Sequence, residues 1–237
     1  MAMNGKQVTM LLSDSAIGEH MYPHDLAQFL NDFYVQKGVK VLTEAKVSDV
    51  IAQGERFLVS TQDGRKLTVD GVVAGIGVQP NIDLAEHASL IVDNGIIVDE
   101  HLLTSHADIY AAGDVAEFFN PALGKLMRVE HEDNANTMGR QAGRNMAGAN
   151  EPYRHLPFFY SDLFELGYEA VGELNARYTT VSDWKTPFQE GVIYYLADQR
   201  VRGVLLWNVW GKVSEARKLI AEAGPINPES LKGRYLN

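Results

Sequence analysis

An amphipathic helical pattern between two short apolar runs most restricts the fold of this chain. Within Asp25–Lys37, apolar side chains recur at positions 26, 29, 30, 33 and 34, which places them on one face of a helix. Pro23 favours the start of this helix and Gly38 favours its end. The β-prone runs Val8–Leu12 and Val39–Leu42 flank it. Two strands joined through a helix pair in parallel, so the sequence predicts a β-α-β unit in an α/β protein.

Short alternating runs follow this unit and predict an antiparallel meander of strands. Asp63-Gly64 stands between two of the runs and is typical of a tight hairpin turn. A further strand is predicted at Gly71–Ala74. The runs of the meander are Lys46–Ala52, Phe57–Gln62 and Lys66–Val69.

The glycines that follow the last of these strands do not form a phosphate-binding fingerprint. Counted from Gly75, the sixth position is Pro80, and no long helical pattern begins there. A G-x-G-x-x-G fingerprint needs a helix whose amino end meets the pyrophosphate. On its pattern alone, this segment is a candidate crossover between domains.

The stretch Thr104–Val115, TSHADIYAAGDV, combines a short apolar run with small residues and a carboxylate. Ile109–Ala112 is predicted to be a strand that ends at Gly113-Asp114. A carboxylate at the carboxyl end of a strand lies where open α/β sheets bind ligands. When ionised, Asp114 only accepts hydrogen bonds, which suits the hydroxyls of a sugar or ribityl chain. The alternative is a tight turn in which Asp114 caps the next segment, and spacing alone does not separate the two.

A helix is predicted at roughly Asp133–Met146, and its small residues are unusual for a helix interior. Gly139 and Gly143 each cost about 1 kcal/mol relative to alanine, so a packing or ligand reason is expected for them. The amino end of such a helix carries a partial positive charge.

Turn residues upstream of this helix predict two further features, namely a hairpin within Ile91–Val98 and a loop at Glu117–Lys125.

The segment Asn150-Glu151-Pro152 is typical of a linker, and the residues after it predict a compact α+β unit. A helix is predicted at Lys212–Ala223 because Gly224-Pro225 ends the helical pattern. Asp198-Gln199 is predicted to be the hairpin turn between the last two of four strands. These strands are Glu169–Leu174, Tyr178–Val181, Gly191–Ala197 and Val201–Val209.

Composition argues against several classes of function. The formal net charge of −10 at pH 7 argues against nonspecific nucleic-acid binding. The chain has no cysteine, which removes disulfides, thiolate metal sites and a redox dithiol. Any electrons that the chain handles therefore need a bound cofactor. The amino terminus has no apolar signal core, and no apolar run reaches the ~18 residues of a membrane span. We expect a soluble, cytoplasmic protein without a metal site, a membrane contact or a nucleic-acid partner.

Several motifs together resemble those of a known family. Thr104–Ala116 is similar to the second flavin motif of flavoprotein oxidoreductases with two nucleotide domains, which include the ferredoxin and rubredoxin reductases and the apoptosis-inducing factor group. Ala74–Asn81 resembles that family's exit from its NAD domain, and Arg128–Ala135 its stretch at flavin and nicotinamide. The segments YSDLFELGYEAVG and GVIYYLADQRVRGVLLWN resemble the C-terminal domain of the apoptosis-inducing factor group. The likeness covers nearly the whole chain.

The resemblance implies roles for five residues at the flavin and the nicotinamide. Asp114 would bind the ribityl chain of FAD, and Gly113 would let the backbone come close to it. Glu130 would hold the nicotinamide carboxamide. His131 would pack at the flavin, and Tyr160 would lie against the ring.

Three further residues take implied roles at the nicotinamide nucleotide. Asp14 would bind the hydroxyls of the adenosine ribose. Gly77 would let the backbone pass close to bound NAD, and Glu169 lies in a segment that borders the nicotinamide site. The family's basic position near the ribose corresponds to Glu19, which weakens the case for NADP because its extra phosphate favours Arg or Lys.

Without the resemblance, other interpretations of these residues remain open. Asp14 is then part of an Asx turn, and Gly77 lies in a crossover between domains. Glu130 belongs to a solvated acidic face or a helix cap. His131 is a partly buried histidine that bonds to the backbone.

The resemblance implies an α/β fold, namely a partial flavoprotein with FAD- and NAD(P)-binding domains plus a C-terminal α+β interface domain. Residues 1–78 would be the second half of the NAD(P)-binding domain, 79–150 the C-terminal part of the FAD-binding domain, and 151–237 a dimerisation-like domain. Both G-x-G-x-x-G fingerprints of the family are missing, so the sites for FAD and NAD(P)H are expected to be incomplete. The chain would come from a truncated gene, a deliberately shortened protein or half of a split enzyme.

The implied function is that of an FAD-dependent NAD(P)H oxidoreductase. A hydride passes from NAD(P)H to the flavin, and electrons go on to an acceptor, which could be a protein. This chain alone is expected to be inactive, and to form a homo-oligomer or need a missing N-terminal half. The alternative is a noncatalytic interaction or dimerisation module derived from such an enzyme.

Overall fold

A computed structural model describes residues 1–236 of the chain. These residues form two compact units. The first comprises Met1–Gly77 together with the short segment Asn175–Arg177. The second comprises Val78–Leu174 and the residues from Tyr178 onward.

The first unit begins with the predicted β-α-β arrangement. Strand β1 (Val8–Leu11) pairs in parallel with β2 (Val39–Leu42), and helix α1 (His24–Gln36) connects them. Gly38 follows the helix with φ of 81°, a conformation that glycine adopts without strain. The apolar face of α1 is buried through Leu26, Ala27, Leu30 and Phe33.

The antiparallel meander is also confirmed. Strands β3 (Val47–Gln53), β4 (Arg56–Thr61) and β5 (Lys66–Val69) follow one another in a three-stranded sheet. The turn between β4 and β5 contains Gly64 with φ of 87°, as the predicted Asp63-Gly64 hairpin requires.

The prediction of a strand at Gly71–Ala74 is wrong. Within residues 1–236 this run pairs with no strand, and every residue from Gly71 to Gln79 is exposed. A strand satisfies its backbone groups through a neighbouring strand. The apolar run therefore has the composition of a strand without a partner in the described chain.

The first part of the second unit contains a small sheet of three strands. Helix α2 (Asp83–His87) comes first, and strands β6 (Ile96–Ile97), β7 (Ala116–Asn120) and β8 (Lys125–Arg128) follow. Strand β6 pairs in parallel with β7, which forms a hairpin with β8. The predicted loop at Glu117–Lys125 is wrong, because its first residues are a strand with buried side chains such as Phe118.

The prediction of a strand at Ile109–Ala112 is wrong, and the hairpin predicted within Ile91–Val98 is only partly met. Ile109–Ala112 is extended at Ala112 but forms no strand, since only Leu103 and Tyr110 make an isolated bridge. A 3₁₀ turn at Gly113–Val115 follows. The hairpin within Ile91–Val98 is reduced to a bridge between Val92 and Ile96.

Helix α3 (Glu132–Met146) agrees with the predicted helix to within one residue. Its side chains Met138 and Ala142 are buried in a core that contains Phe118 and Tyr153. Gly139 and Gly143 are exposed, and a Cβ added to either would meet no atom within 4 Å. Packing inside this chain therefore does not explain the two glycines.

A five-stranded antiparallel sheet forms the last part of the second unit. Its strands are β9 (Phe158–Leu163), β10 (Leu166–Gly172), β11 (Thr179–Thr186), β12 (Glu190–Ala197) and β13 (Arg200–Trp207). Their order in the sheet is β11-β12-β13-β10-β9. The predicted hairpin is confirmed, because Asp198 and Gln199 turn between the last two strands with φ of 52° and 57°. Helix α4 (Val213–Ala221) packs on β10 and β13.

Strand β9 has no counterpart in the sequence analysis. Its partner is β10, and Glu169 of β10 lies opposite Tyr160 of β9. Among the helices of residues 1–236, none is long and apolar enough to cross a membrane.

Candidate functional site

The eight candidate residues are divided between the two units. Asp14 and Gly77 belong to the first unit. The other six belong to the second: Gly113, Asp114, Glu130, His131, Tyr160 and Glu169.

The turn at Gly113-Asp114 lies against helix α3. Gly113 is buried, has φ of 80°, and its N–H donates to the sulfur of Met138 at 3.2 Å. A Cβ added to Gly113 would lie 3.6 Å from the Cβ of Ala135, which is an ordinary contact. The positive φ, rather than lack of space, accounts for glycine here. The side chain of Asp114 is left exposed beside the turn.

Arg128 connects this turn to Glu130. Its Nη1 donates to the backbone oxygen of Asp114 at 2.9 Å and lies 2.6 Å from Oε1 of Glu130. The Arg128 side chain is 8% exposed, and that of Glu130 is 38% exposed. Arg128 was not predicted as a site residue, although it is the first residue of the Arg128–Ala135 segment, RVEHEDNA.

Gly95 makes room for the Arg128 side chain. A Cβ added to Gly95 would lie 2.9 Å from Cδ of Arg128 and 2.6 Å from the backbone oxygen of Val115. Such a separation from a backbone oxygen is too short for a real Cβ. Glycine at position 95 is therefore needed for the close approach of this backbone to Val115 and to the Arg128 side chain.

His131 caps the amino end of α3. Its Nδ1 accepts the backbone N–H of Asp133 at 3.2 Å, and the residue is partly buried. The interpretation of His131 as a partly buried histidine bonded to the backbone thus describes its contacts. Because Nδ1 is an acceptor, the proton of the neutral ring lies on Nε2.

Three rings form a cluster beside this cap. The His131 ring lies 5.4 Å from that of Tyr160 in an edge-to-face arrangement and 5.6 Å from that of Phe158. The Phe158 and Tyr160 rings, both on β9, are 6.3 Å apart. Tyr160 is 50% exposed, so one side of the cluster can contact a ligand.

Glu169 lies on β10 opposite Tyr160. Its Oε2 accepts the backbone N–H of Gly211 at 3.1 Å. Two residues earlier on the strand, a Cβ added to Gly167 would lie 2.8 Å from Cη2 of Trp210. The indole of Trp210, which is 53% exposed, therefore covers β10 next to Glu169.

An ion cluster joins the amino end of α3 to helix α4. Oδ2 of Asp133 lies 2.6 Å from Nε2 of His155 and 2.9 Å from Nη2 of Arg217. Nε of Arg217 also donates to the backbone oxygen of Leu156 at 2.7 Å. The side chains of Asp133 and Arg217 are 19% and 27% exposed. No sequence pattern indicated this cluster.

Tyr153 lies beside the same ion cluster. Its hydroxyl donates to Oδ1 of Asn134 at 2.9 Å. Burial raises the pKa of Tyr153 above its ordinary value, and the carboxylate of Asp133 raises this pKa further.

In the first unit, Asp14 lies in a turn rich in acceptors. It accepts from the hydroxyl of Ser13 at 3.3 Å, and Nε2 of His20 is 3.7 Å from its Oδ2. The Glu19 carboxylate accepts hydrogen bonds from the hydroxyl and the backbone N–H of Ser15. These bonds lower the pKa of the Glu19 carboxyl. Gly77 is exposed with φ of 89°, and a Cβ added there would meet nothing within 4 Å.

The structure brings most of the candidates in the second unit together. Arg128 joins the Gly113-Asp114 turn to Glu130, while ring contacts join His131 to Tyr160. Residues 1–236 contain no group of three His, Asp or Glu side chains arranged to hold a metal ion.

Two protein-family models together match nearly the whole chain. Residues 1–141 match the family model described as pyridine nucleotide-disulphide oxidoreductase. Residues 142–187 and 181–222 match the model described as the C-terminal part of mitochondrion-associated apoptosis-inducing factor.

Individual relatives agree with these matches. The chain is 34% identical over 236 residues to apoptosis-inducing factor 1, mitochondrial, from Dictyostelium discoideum, covering 93% of the chain and 44% of that protein. It is 33% identical over 240 residues to monodehydroascorbate reductase 3 from Arabidopsis thaliana, covering 96% of the chain and 54% of that protein. The chain thus spans about half the length of these relatives.

Solved structures show the same relationship at the level of the fold. The ferredoxin reductase for the CYP199A2 system from Rhodopseudomonas palustris superposes with a TM-score of 0.86 at 27% identity, covering 96% of this chain and 57% of that one. Putidaredoxin reductase in its covalent complex with putidaredoxin gives 0.85 at 29% identity, covering 95% and 55%. The expected α/β fold of FAD- and NAD(P)-binding flavoprotein reductases is confirmed. The chain belongs to the pyridine nucleotide-disulphide oxidoreductase family.

Proposed function

We propose that this chain supplies the part of an FAD-dependent NAD(P)H oxidoreductase that faces the flavin and the nicotinamide. The observation that carries the proposal is the joining of the Gly113-Asp114 turn to Glu130 through Arg128, directly before the amino end of α3. This arrangement presents two carboxylates, a close backbone approach and a helix amino end within one segment.

The residues of the second unit fit FAD. The exposed carboxylate of Asp114 accepts hydrogen bonds from ribityl hydroxyls, and Gly113 lets the backbone approach closely. His131 and Tyr160 offer ring faces and edges to an aromatic group. The partial positive charge at the amino end of α3 favours negative charge beside it. When bound, FAD supplies the redox chemistry by accepting a hydride and passing electrons on.

Other candidates fit the nicotinamide nucleotide. The Glu130 carboxylate accepts from a carboxamide N–H, and Glu169 borders the same site. Asp14 accepts from the adenosine ribose hydroxyls, and Gly77 allows close passage of the backbone. Acidic Glu19 near Asp14 disfavours the additional phosphate of NADPH, so NADH is the proposed donor.

The proposed electron acceptor is a small electron-transfer protein. The support is the name of a related structure, putidaredoxin reductase in complex with putidaredoxin. Because these 237 residues include no cysteine, they cannot form a redox dithiol that would carry the electrons. The cytoplasmic location and the domain limits at residues 78 and 150 stay predictions, and the Dictyostelium relative is named as mitochondrial.

A noncatalytic interaction module is the second candidate. The observation that favours it is the exposed apolar run before α2, in which Val73 is 77% and Ile76 91% exposed. Such a run pairs readily with another chain.

Titration with FAD tests the first proposal. We expect weak binding, because the G-x-G-x-x-G fingerprints are missing from these residues. Flavin fluorescence should be quenched on binding, and Asp114→Asn should weaken the binding. The matched control is Asp108→Asn, an exposed carboxylate in the same motif, which should leave the affinity unchanged. Equal loss in both variants, or no binding at millimolar FAD, would favour the interaction module.

A further inference from the structure

Asp133 interacts with the candidate site through two different groups. Its backbone N–H donates to Nδ1 of His131 and thereby orients the ring. Its carboxylate accepts from Arg217 and lies 2.6 Å from Nε2 of His155. Asp133 therefore connects the His131 ring to the ion cluster with Arg217.

Arg217 contacts two of the three neighbours of the His131 ring, namely Asp133 and Phe158. Its Nη2 donates to Asp133 at 2.9 Å, and its guanidinium lies 5.6 Å over the ring of Phe158. That phenylalanine ring in turn contacts His131 at 5.6 Å. The bond from Nε of Arg217 to Leu156 fixes the guanidinium in this orientation. A planar guanidinium presents these donors in a fixed geometry and stacks on the ring, which a single ammonium does not reproduce.

We propose that Arg217 is a positioning residue that fixes the His131 ring through Asp133 and Phe158. The proposal rests on the proposed function, because it concerns the ring that faces the flavin there. With Nδ1 bound to the Asp133 N–H, the Nε2–H donor of His131 has one fixed direction. Arg217 on helix α4 thus fixes the geometry of the flavin-facing cluster, although it lies 84 residues after Asp133 in the sequence.

Hydrogen exchange in the flavin-free chain tests this proposal. The Asp133 amide lies in the first turn of α3, where no helical carbonyl is available to it, so its exchange reports on the bond to His131. In Arg217→Met, we expect this amide to exchange about fivefold to tenfold faster, the size expected for one lost helix cap. The amide of Ile193, a fully buried residue in the middle of β12, serves as the reference for global stability. Nuclear Overhauser contacts between the His131 and Tyr160 rings should weaken in the same variant.

Two further variants make the result decisive. Arg234→Met removes a more exposed cation that pairs with Glu222 at 3.4 Å, and it should leave the Asp133 amide unchanged. If Arg217→Met does not fold, Arg217→Gln is measured in its place with the same expected outcomes. A folded Arg217 variant with wild-type exchange at Asp133 and intact ring contacts would overturn the proposal. Since no flavin is used, failure to bind FAD does not affect this test.

Discussion

Arg128 and Glu130 form an ion pair that also anchors the turn before it. The guanidinium nitrogen that lies 2.6 Å from the Glu130 carboxylate also donates to the backbone oxygen of Asp114. The Arg128 side chain is almost fully buried, whereas the Glu130 side chain is partly exposed, so the ion pair lies at the boundary between the protein interior and solvent. It links the Gly113-Asp114 turn directly to the Glu130 carboxylate.

Removing this guanidinium should destabilise the second unit. We expect Arg128→Met to lower the free energy of unfolding by about 1–3 kcal/mol, because the backbone carbonyl of Asp114 loses its donor and Glu130 loses the partner that is buried beside it. Urea unfolding measures the change. Lys185→Met is the control: its pair with Glu190 is exposed and should contribute about 0.5 kcal/mol or less. Equal effects of the two substitutions would contradict a structural role for Arg128.

Gly95 and Gly139 should respond to alanine in opposite directions. At Gly95 the new methyl group would meet a backbone oxygen at 2.6 Å, so Gly95→Ala should cost about 1–3 kcal/mol. At Gly139 the space is open, and alanine should stabilise α3 by about 0.5–1 kcal/mol. Thermal or urea unfolding of both variants gives the comparison. A stabilised Gly95→Ala protein would show that the contact to Val115 is not as close as described.

The sequence predicted elements whose pattern is local. Strands Val39–Leu42 and Lys66–Val69 were predicted with their observed limits, and the Asp198-Gln199 turn was recognised. In each case turn residues and side-chain periodicity act over fewer than about ten residues.

The misses have physical reasons. Gly71–Ala74 has strand composition, but pairing depends on a neighbour that the pattern does not encode. The turn residues after Asn120 favoured a loop over the prediction of β7. Its side chains become buried only when β7 pairs with β8, and this pairing is not visible in the local sequence. The contact between Asp133 and Arg217 joins residues 84 positions apart, and charge pairs at such separations carry no periodic signal. The role assigned to each candidate site residue stays a prediction from resemblance.

Alkaline pH should weaken the folded state through buried tyrosines. Burial raises the pKa of Tyr235 from 10.0 to about 12, and it also raises the pKa values of Tyr194 and Tyr153. The unfolded chain releases these protons near pH 10 while the folded chain retains them. The stabilisation is therefore complete below pH 10 and is lost as the pH rises toward 12.

Comparing urea unfolding at pH 8 and pH 11 measures this effect. Between these two pH values the free energy of unfolding should fall by about 1 kcal/mol more in the wild-type chain than in Tyr235→Phe, because pH 11 lies about one unit above the pKa of an unfolded tyrosine. A phenylalanine variant that loses as much as the wild type would show that Tyr235 does not contribute.

The isolated chain should self-associate through its exposed apolar run. Val73 and Ile76 are 77% and 91% exposed, and an unpaired apolar segment favours pairing with a second copy. Light scattering over a dilution series should show a mass that falls with concentration. The double variant Val73→Glu/Ile76→Glu should shift the equilibrium to monomer, whereas Leu84→Glu, at an 87% exposed position on α2, should not. A wild-type monomer at every concentration would rule out this surface as an interface.

The most direct measurement is an amide NMR spectrum of the labelled chain during FAD titration. The account predicts that the signals of Gly113, His131 and Tyr160 shift together with one binding curve, and that Arg128→Met reduces all three shifts. Signals of α1 and the β3–β5 meander should stay in place. Shifts confined to other regions, or none at the amino end of α3 at millimolar FAD, would contradict the assignment of this segment as the flavin-facing site.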